Sequence, residues 1–134
     1  MIEKKEIYES GEDYLEAILM LSQTLDRVRA IDIVHKLGYS KPSVSIAMKN
    51  LKAKGFVAVI RNTITLTPKG LEIAEKMYER HKWVSEFFKT LGVPEDIATS
   101  DACKLEHHFS DETFNTLKKY FSNTEKLKNY IDSY

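Results

Sequence analysis

Apolar residues recur at helical spacing along most of the chain, and the pattern gives way to clear alternation in one short stretch. Leu15, Ile18, Leu19 and Leu25 share one face of a first predicted helix that starts at Ser10, a good N-cap, and runs to about Leu25. A short second helix is expected over 31–37, ended by Gly38, where a left-handed backbone costs little. A third follows almost at once, from Ser40 as N-cap to Lys54, with Val44, Met48 and Leu51 spaced as a buried stripe and Gly55 at its end. The segment FVAVIRNTITLTPKG then alternates, apolar at Val57 and Val59 and again at Ile64 and Leu66, around the polar turn Arg61, Asn62, Thr63. Thr67 and Pro68, an N-cap followed by Pro at the first helical position, launch a fourth helix that reaches about Leu91. Its stripe is Ala74, Met77, His81, Val84 and Phe88. Gly92 and Pro94 separate it from a fifth helix, Pro94 to about Phe109. A sixth starts at the N-cap Ser110 and buries Phe114, Leu117 and Phe121, and a last short one offers Leu127, Tyr130, Ile131 and Tyr134.

Two short helices joined by a tight turn are the helix-turn-helix pattern, in which the second helix enters the major groove of DNA. The outward residues of the third helix are Lys41, Pro42, Ser43, Ser45, Ile46 and Lys49. Small hydroxyls, an apolar surface for thymine methyls and flanking cations fit groove reading. A plain solvated helix face would look similar. The hairpin that follows directly tips the balance, because a helix-turn-helix with a basic-tipped wing is far more specific than either part. Arg61 at the wing tip is placed for phosphate or the minor groove, and Arg27 and Ser40 complete the DNA-facing set.

Charge sharpens this picture. The formal net charge is zero, yet the 27–70 stretch has nine Lys or Arg against one acid, Asp32, while both flanks are net acidic. A basic block between acidic ones is the footprint of a nucleic-acid-binding module on a scaffold that avoids the polyanion. No apolar run approaches the roughly 18 residues of a membrane span, and MIEKKEIYES lacks the apolar core of an export signal. A cytoplasmic protein with no membrane partner is expected. The helices after residue 70 carry more apolar surface than so short an extension buries within itself, which predicts a homodimer with two recognition helices about one DNA turn apart, or a multiple of it.

In the fifth helix, DACKLEHHF places Cys103, Glu106 and His107 at i, i+3 and i+4, within an arc of about 100° beside Ala98, Ala102, Leu105 and Phe109. Thiolate, carboxylate and imidazole together favour a transition metal over magnesium or calcium. The alternative keeps Cys103 as a small core hydrophobe, with Glu106 and His107 on a solvated face. His81 lies inside the apolar stripe of the fourth helix, where a lone histidine is more often a hydrogen-bonded core residue than a ligand. Asp13 and Glu16 share a face of the first helix, but acids near a helix start also favour its dipole, and Asp13 stands three residues after Ser10 as in a capping box.

The order EDYLEAI, winged helix-turn-helix, YERHKW and DACKLEHH resembles the diphtheria-toxin-repressor and manganese-transport-regulator family nearly end to end. The resemblance implies a dimeric, metal-activated transcriptional repressor of metal-ion homeostasis. Its expected fold is mainly α, with a winged helix-turn-helix DNA-binding domain over 1–70 and an all-helical metal-binding and dimerisation domain over 71–134. It also implies one metal site built from Asp13 and Glu16, His81, and Cys103, Glu106 and His107. Asp13 and Glu16 look like the manganese branch, whereas Cys103 looks like the iron-responsive branch. In length the chain looks like the short, two-domain manganese type rather than members with an SH3-like third domain, and Ser85 and Thr99 stand where some members carry further ligands. Mn(II) is therefore the expected effector and Fe(II) the next. The expected partners are double-stranded operator DNA and a second copy of the chain, with no small-molecule substrate beyond the metal ion. Two other classes compete. One is a winged-helix regulator that uses no metal. The other is a metallo-hydrolase, since these ligands could hold a catalytic ion with an open position. The chain has no Gly-rich pocket loop and no obvious spare general base, so it is not expected to be an enzyme.

Overall fold

A computed structural model describes residues 7–121, 129, 132 and 133. The predicted last helix at Leu127, Tyr130, Ile131 and Tyr134 lies outside them. Among the described residues the order is α1 (Glu9–Ser22), α2 (Ala30–Leu37), α3 (Lys41–Ala53), β1 (Val57–Ile60), β2 (Thr63–Leu66), α4 (Pro68–Thr90), α5 (Glu95–Leu105) and α6 (Asp111–Tyr120). None of these helices is long and apolar enough to cross a membrane. The chain forms two compact units, Met1–Met77 and Tyr78–Tyr134, which divide within α4.

The first unit is the winged helix-turn-helix. Its core gathers Leu15 and Ile18 of α1, Ile33 of α2, Val44, Met48 and Leu51 of α3, Phe56, Val57 and Ile64 of the hairpin and Ala74 of α4. Gly38 ends α2 in the left-handed conformation, φ 73°. Ser40 caps α3, its hydroxyl accepting from the Ser43 amide at 3.2 Å. The strands pair antiparallel with Ile60 opposite Thr63, so Arg61 and Asn62 alone form the turn. Both have positive φ, 50° and 62°, as a two-residue primed turn requires. The hairpin is stitched to the α1–α2 loop, where the Val28 carbonyl accepts from the Ile64 amide at 2.8 Å. Thr67 caps α4 as its sequence implies, accepting from the Gly70 amide at 3.1 Å while donating to the Gly55 carbonyl at 2.6 Å.

Several expectations need correction. α1 begins at Glu9, with Tyr8 in the cap position and no side-chain cap, so Ser10 lies inside the helix and forms no capping box with Asp13. The helix ends at Ser22, and Leu25 lies beyond it, 39% exposed, rather than on its buried face.

In the second unit, Val84 of α4, Ala102 of α5 and Phe114 of α6 form the buried centre, with Trp83, Phe88 and Phe109 packed against it. Trp83 meets Phe114 edge-on at 5.8 Å and stacks on Phe87 at 5.1 Å. Ser110 caps α6, accepting from the Thr113 amide at 3.0 Å. Gly92, at φ 102°, makes the turn from α4 towards α5. Helix α5 stops at Leu105 instead of reaching Phe109. Leu105 is correspondingly exposed, while Ala98 and Ala102 are buried as expected.

Candidate metal centre and nucleic-acid interface

The early end of α5 changes what the ligand-type residues can do. Cys103 lies on the helix and is exposed. Glu106 is the C-cap residue, its amide making the last ladder bond to the Ala102 carbonyl at 3.0 Å, and His107 follows it in the turn. Yet Glu106 is fully buried, at 0%, and His107 is 5% exposed. The structure thus inverts the alternative in which Cys103 was the core residue and Glu106 and His107 a solvated face. Each carboxylate oxygen of Glu106 meets an imidazole: Oε2 is 3.0 Å from His81 Nδ1, and Oε1 is 3.5 Å from His107 Nε2. A carboxylate withdrawn from water is costly unless charge or hydrogen bonds compensate it. Two histidine rings and a buried carboxylate packed this closely are a donor set suited to a divalent transition metal.

Arg80, the neighbour of His81, was not singled out by its residue type and is 3% exposed. Its Nη1 donates to the main-chain carbonyls of Glu106 at 3.2 Å and Phe109 at 2.8 Å, and its Nη2 to Asp111 Oδ1 at 2.6 Å. A buried arginine between polar neighbours in a charged helix looks like any surface cation in the sequence.

In the first unit, α1 carries the remaining ligand-type acids. Asp13 is half-buried and Glu16 buried; Glu12, one turn before Glu16, is buried too, which the sequence reading missed. Tyr14, Leu15 and Ile18 on the same helix belong to the DNA-binding core. Tyr14 also touches Tyr39 edge-on, at 5.7 Å, next to the cap of α3. Burial raises the Tyr14 phenol above its ordinary range, and Tyr39 adds to the effect. The helix bearing Asp13 and Glu16 is therefore packed directly against the turn that sets α3.

The residues expected to face DNA are exposed on this unit. Lys41, Pro42, Ser43, Ser45, Ile46 and Lys49 are all exposed on α3, Ile46 to 61%. Ser40 does two things, capping the helix and donating its hydroxyl to Ser43 Oγ at 2.8 Å. Arg61 is exposed at the wing tip. Arg27 reaches the same tip, its Nη2 donating to the Arg61 carbonyl at 2.8 Å, so it braces the left-handed turn as well as adding charge. Between α3 and the wing runs a groove of about 510 Å³ lined by Arg29, Ser45, Met48, Lys49, Lys52 and Val59 among others. Arg29 and Lys52 belong to the basic block but not to the expected DNA-facing set, and the structure places both in this groove. A cleft with cations at its edge beside an exposed reading helix suits a phosphate strand.

Known proteins share this arrangement. The family model described as "Iron dependent repressor, N-terminal DNA binding domain" matches residues 6–62, and "Iron dependent repressor, metal binding and dimerisation domain" matches residues 67–128. The transcriptional regulator MntR of Salmonella typhimurium is 39% identical over 103 residues, covering 76% of this chain and 66% of its own. An uncharacterized HTH-type transcriptional regulator of Methanocaldococcus jannaschii is 35% identical over 126 residues, covering 92% of this chain and 98% of the relative. Among solved structures, a manganese-dependent transcriptional repressor in complex with manganese superposes with a TM-score of 0.77 at 26% identity, over 84% of this chain and 52% of that one. The chain thus spans just under two thirds of the Salmonella regulator and about half of the solved repressor. Matched in both halves, and at 35% identity over nearly the whole length of one relative, the chain belongs to the iron-dependent-repressor family, the family of the diphtheria-toxin repressor and the manganese transport regulators.

Proposed function

We propose that this protein is a metal-activated transcriptional regulator that binds operator DNA as a homodimer in the cytoplasm and represses genes of metal-ion homeostasis, with Mn(II) as effector. The observation that carries the reading is the buried carboxylate of Glu106 between His81 and His107, on a chain whose other unit presents a basic winged helix-turn-helix. Residues 1–70 serve as the DNA-binding domain and 71–134 as the metal-binding and dimerisation domain. The metal ligands are Asp13 and Glu16 from α1, His81 from α4, and Cys103, Glu106 and His107 from α5 and the turn after it. Three carboxylates and two imidazoles suit Mn(II), and the thiol of Cys103 keeps Fe(II) as the second choice. The DNA contacts are Arg27, Ser40, Lys41, Pro42, Ser43, Ser45, Lys49 and Arg61.

The physical logic runs through α1. Its inward face is core of the DNA-binding unit, so when Asp13 and Glu16 share an ion with the four ligands of the other unit, the module becomes tied to the dimer scaffold. That constraint fixes the separation of two recognition helices and raises affinity for a palindromic site. A metallo-hydrolase is set aside because the family consists of transcriptional regulators.

The test uses a duplex selected by the protein from a random-sequence pool in the presence of Mn(II). Its affinity is then measured by anisotropy at fixed ionic strength with Mn(II), Fe(II), Co(II) or Zn(II), under reducing conditions, and with chelator. Mn(II) is expected to tighten binding at least about tenfold, a coupling of about 1.4 kcal/mol. Equal affinity with chelator and with every metal would defeat the proposal, and activation by Fe(II) with Mn(II) inactive would overturn the choice of effector.

A further inference from the structure

We propose that Arg80 is a positioning residue for the metal ligands: it fixes the turn carrying Glu106 and His107 and thereby sets the affinity of the site. The inference rests on the reading of Glu106 and His107 as ligands.

The last carbonyls of a helix have no partner in its own ladder and need a donor from elsewhere. Here the helix stops at Leu105, and although the Glu106 amide still bonds to the Ala102 carbonyl and the His108 amide to the Leu105 carbonyl, the carbonyls of the turn need tertiary contacts. Arg80 supplies them from α4, donating one nitrogen to the carbonyls of both Glu106 and Phe109 and the other to Asp111 at the start of α6. The guanidinium therefore spans the whole turn between two helices. Its positive charge also faces the negative end of α5, a favourable placement for a buried cation. The planar fork matters, because a lysine ammonium is a point charge on a flexible stem and cannot present the same pair of fixed donors.

His81, next along α4, holds the other end of Glu106 through the contact of Nδ1 with Oε2 at 3.0 Å. One turn of α4 thus grips Glu106 twice, its main chain through Arg80 and its carboxylate through His81. A ligand on an irregular turn would otherwise pay conformational entropy on binding a metal, which a preset turn avoids. Groups that orient first ligands without touching the ion typically alter metal affinity 10–100-fold when changed.

A purely structural role makes a different forecast. The Lys118–Glu79 ion pair also links α6 to α4, but it touches no ligand-bearing residue. If Arg80 only helped α4 and α6 to pack, breaking either link would matter alike.

The experiment measures Mn(II) affinity of the full chain by isothermal titration for the wild type, Arg80→Lys, Asp111→Asn, Lys118→Ala and His107→Ala, together with the metal-free melting temperature of each. Arg80→Lys is expected to weaken Mn(II) binding about 10–100-fold. Asp111→Asn, changed at the exposed end of the brace, is expected to weaken it several-fold, and Lys118→Ala to leave it within twofold. The Mn(II) electron paramagnetic resonance spectrum of Arg80→Lys at saturating metal is expected to differ from wild type, which a loss of packing alone would not produce. Wild-type affinity in Arg80→Lys, with His107→Ala impaired, would overturn the positioning role while leaving the metal site standing. Wild-type affinity in His107→Ala would remove the site itself and the proposal with it. If Arg80→Lys does not fold, Asp111→Asn decides: unchanged affinity there overturns the inference.

Discussion

Replacement of Glu106 by Gln is expected to weaken Mn(II) binding by at least about a hundredfold, the upper end of what even outer-shell changes cost at metal sites, without lowering the melting temperature of the metal-free protein. The two halves of this expectation come from the same geometry. The carboxylate is fully buried with an imidazole at each oxygen, 3.0 Å and 3.5 Å away. Gln has the same shape but no charge, so it removes the anion that would neutralise a divalent ion. Without metal, the buried anion is itself a burden, and its neutral isostere relieves the desolvation cost. Titration calorimetry and thermal denaturation of the same two preparations check both parts. A Gln variant with wild-type metal affinity would mean that Glu106 is a structural acid, and a large drop in metal-free stability would mean that its charge holds the fold.

Gly70→Ala should be the most damaging single-methyl change in the DNA-binding unit. Gly70 lies in the first turn of α4, where a Cβ would run into the main-chain carbonyl of Phe56. That carbonyl is not free to retreat, since it accepts from the Thr67 amide at 3.1 Å and belongs to a fully buried phenylalanine. Exchanging Gly for Ala inside a helix would ordinarily stabilise by roughly 0.5–1 kcal/mol. Overpacking against fixed backbone costs about 1–3 kcal/mol or more and wins. The net loss, about 1–2 kcal/mol, corresponds to a fall of roughly 5–15 °C in the melting temperature of a unit this size. An unchanged melting curve would show that the start of α4 can shift away from the hairpin.

These two sites differ in how far the sequence disclosed them. The winged helix-turn-helix was legible almost to the residue because local chemistry specifies it. Gly38 and Ser40 punctuate α2 and α3, the Val57 to Leu66 alternation matches a hairpin, and Thr67 with Pro68 starts α4. Within the hairpin the turn departs, being confined to Arg61 and Asn62, since strand pairing extends to Thr63. The start of α1 was misread because Ser10 has good capping chemistry, yet Tyr8 is the extended residue and the chain is already helical at Glu9. The end of α5 was hidden for a deeper reason. DACKLEHHF contains no Gly or Pro, and its spacing continues a helix. What accompanies the stop is a non-local contact, with Arg80 satisfying the Glu106 and Phe109 carbonyls across 26 and 29 residues of sequence. Periodicity cannot reveal a partner so distant, and it carries the helix past Glu106 and His107, where the structure has a turn. The burial of Glu12 was likewise invisible, because an acid in a first helical turn already has an electrostatic explanation.

Under the proposed function, metal and DNA act on one equilibrium. Linkage makes that claim quantitative, since whatever factor metal contributes to DNA affinity, DNA must contribute to metal affinity. The direct test is the Mn(II) dissociation constant of the full chain measured with and without a saturating amount of the selected duplex, at one ionic strength. The duplex is expected to tighten Mn(II) binding by the same factor by which Mn(II) tightens the duplex, at least about tenfold. A Mn(II) dissociation constant unmoved by DNA would contradict it.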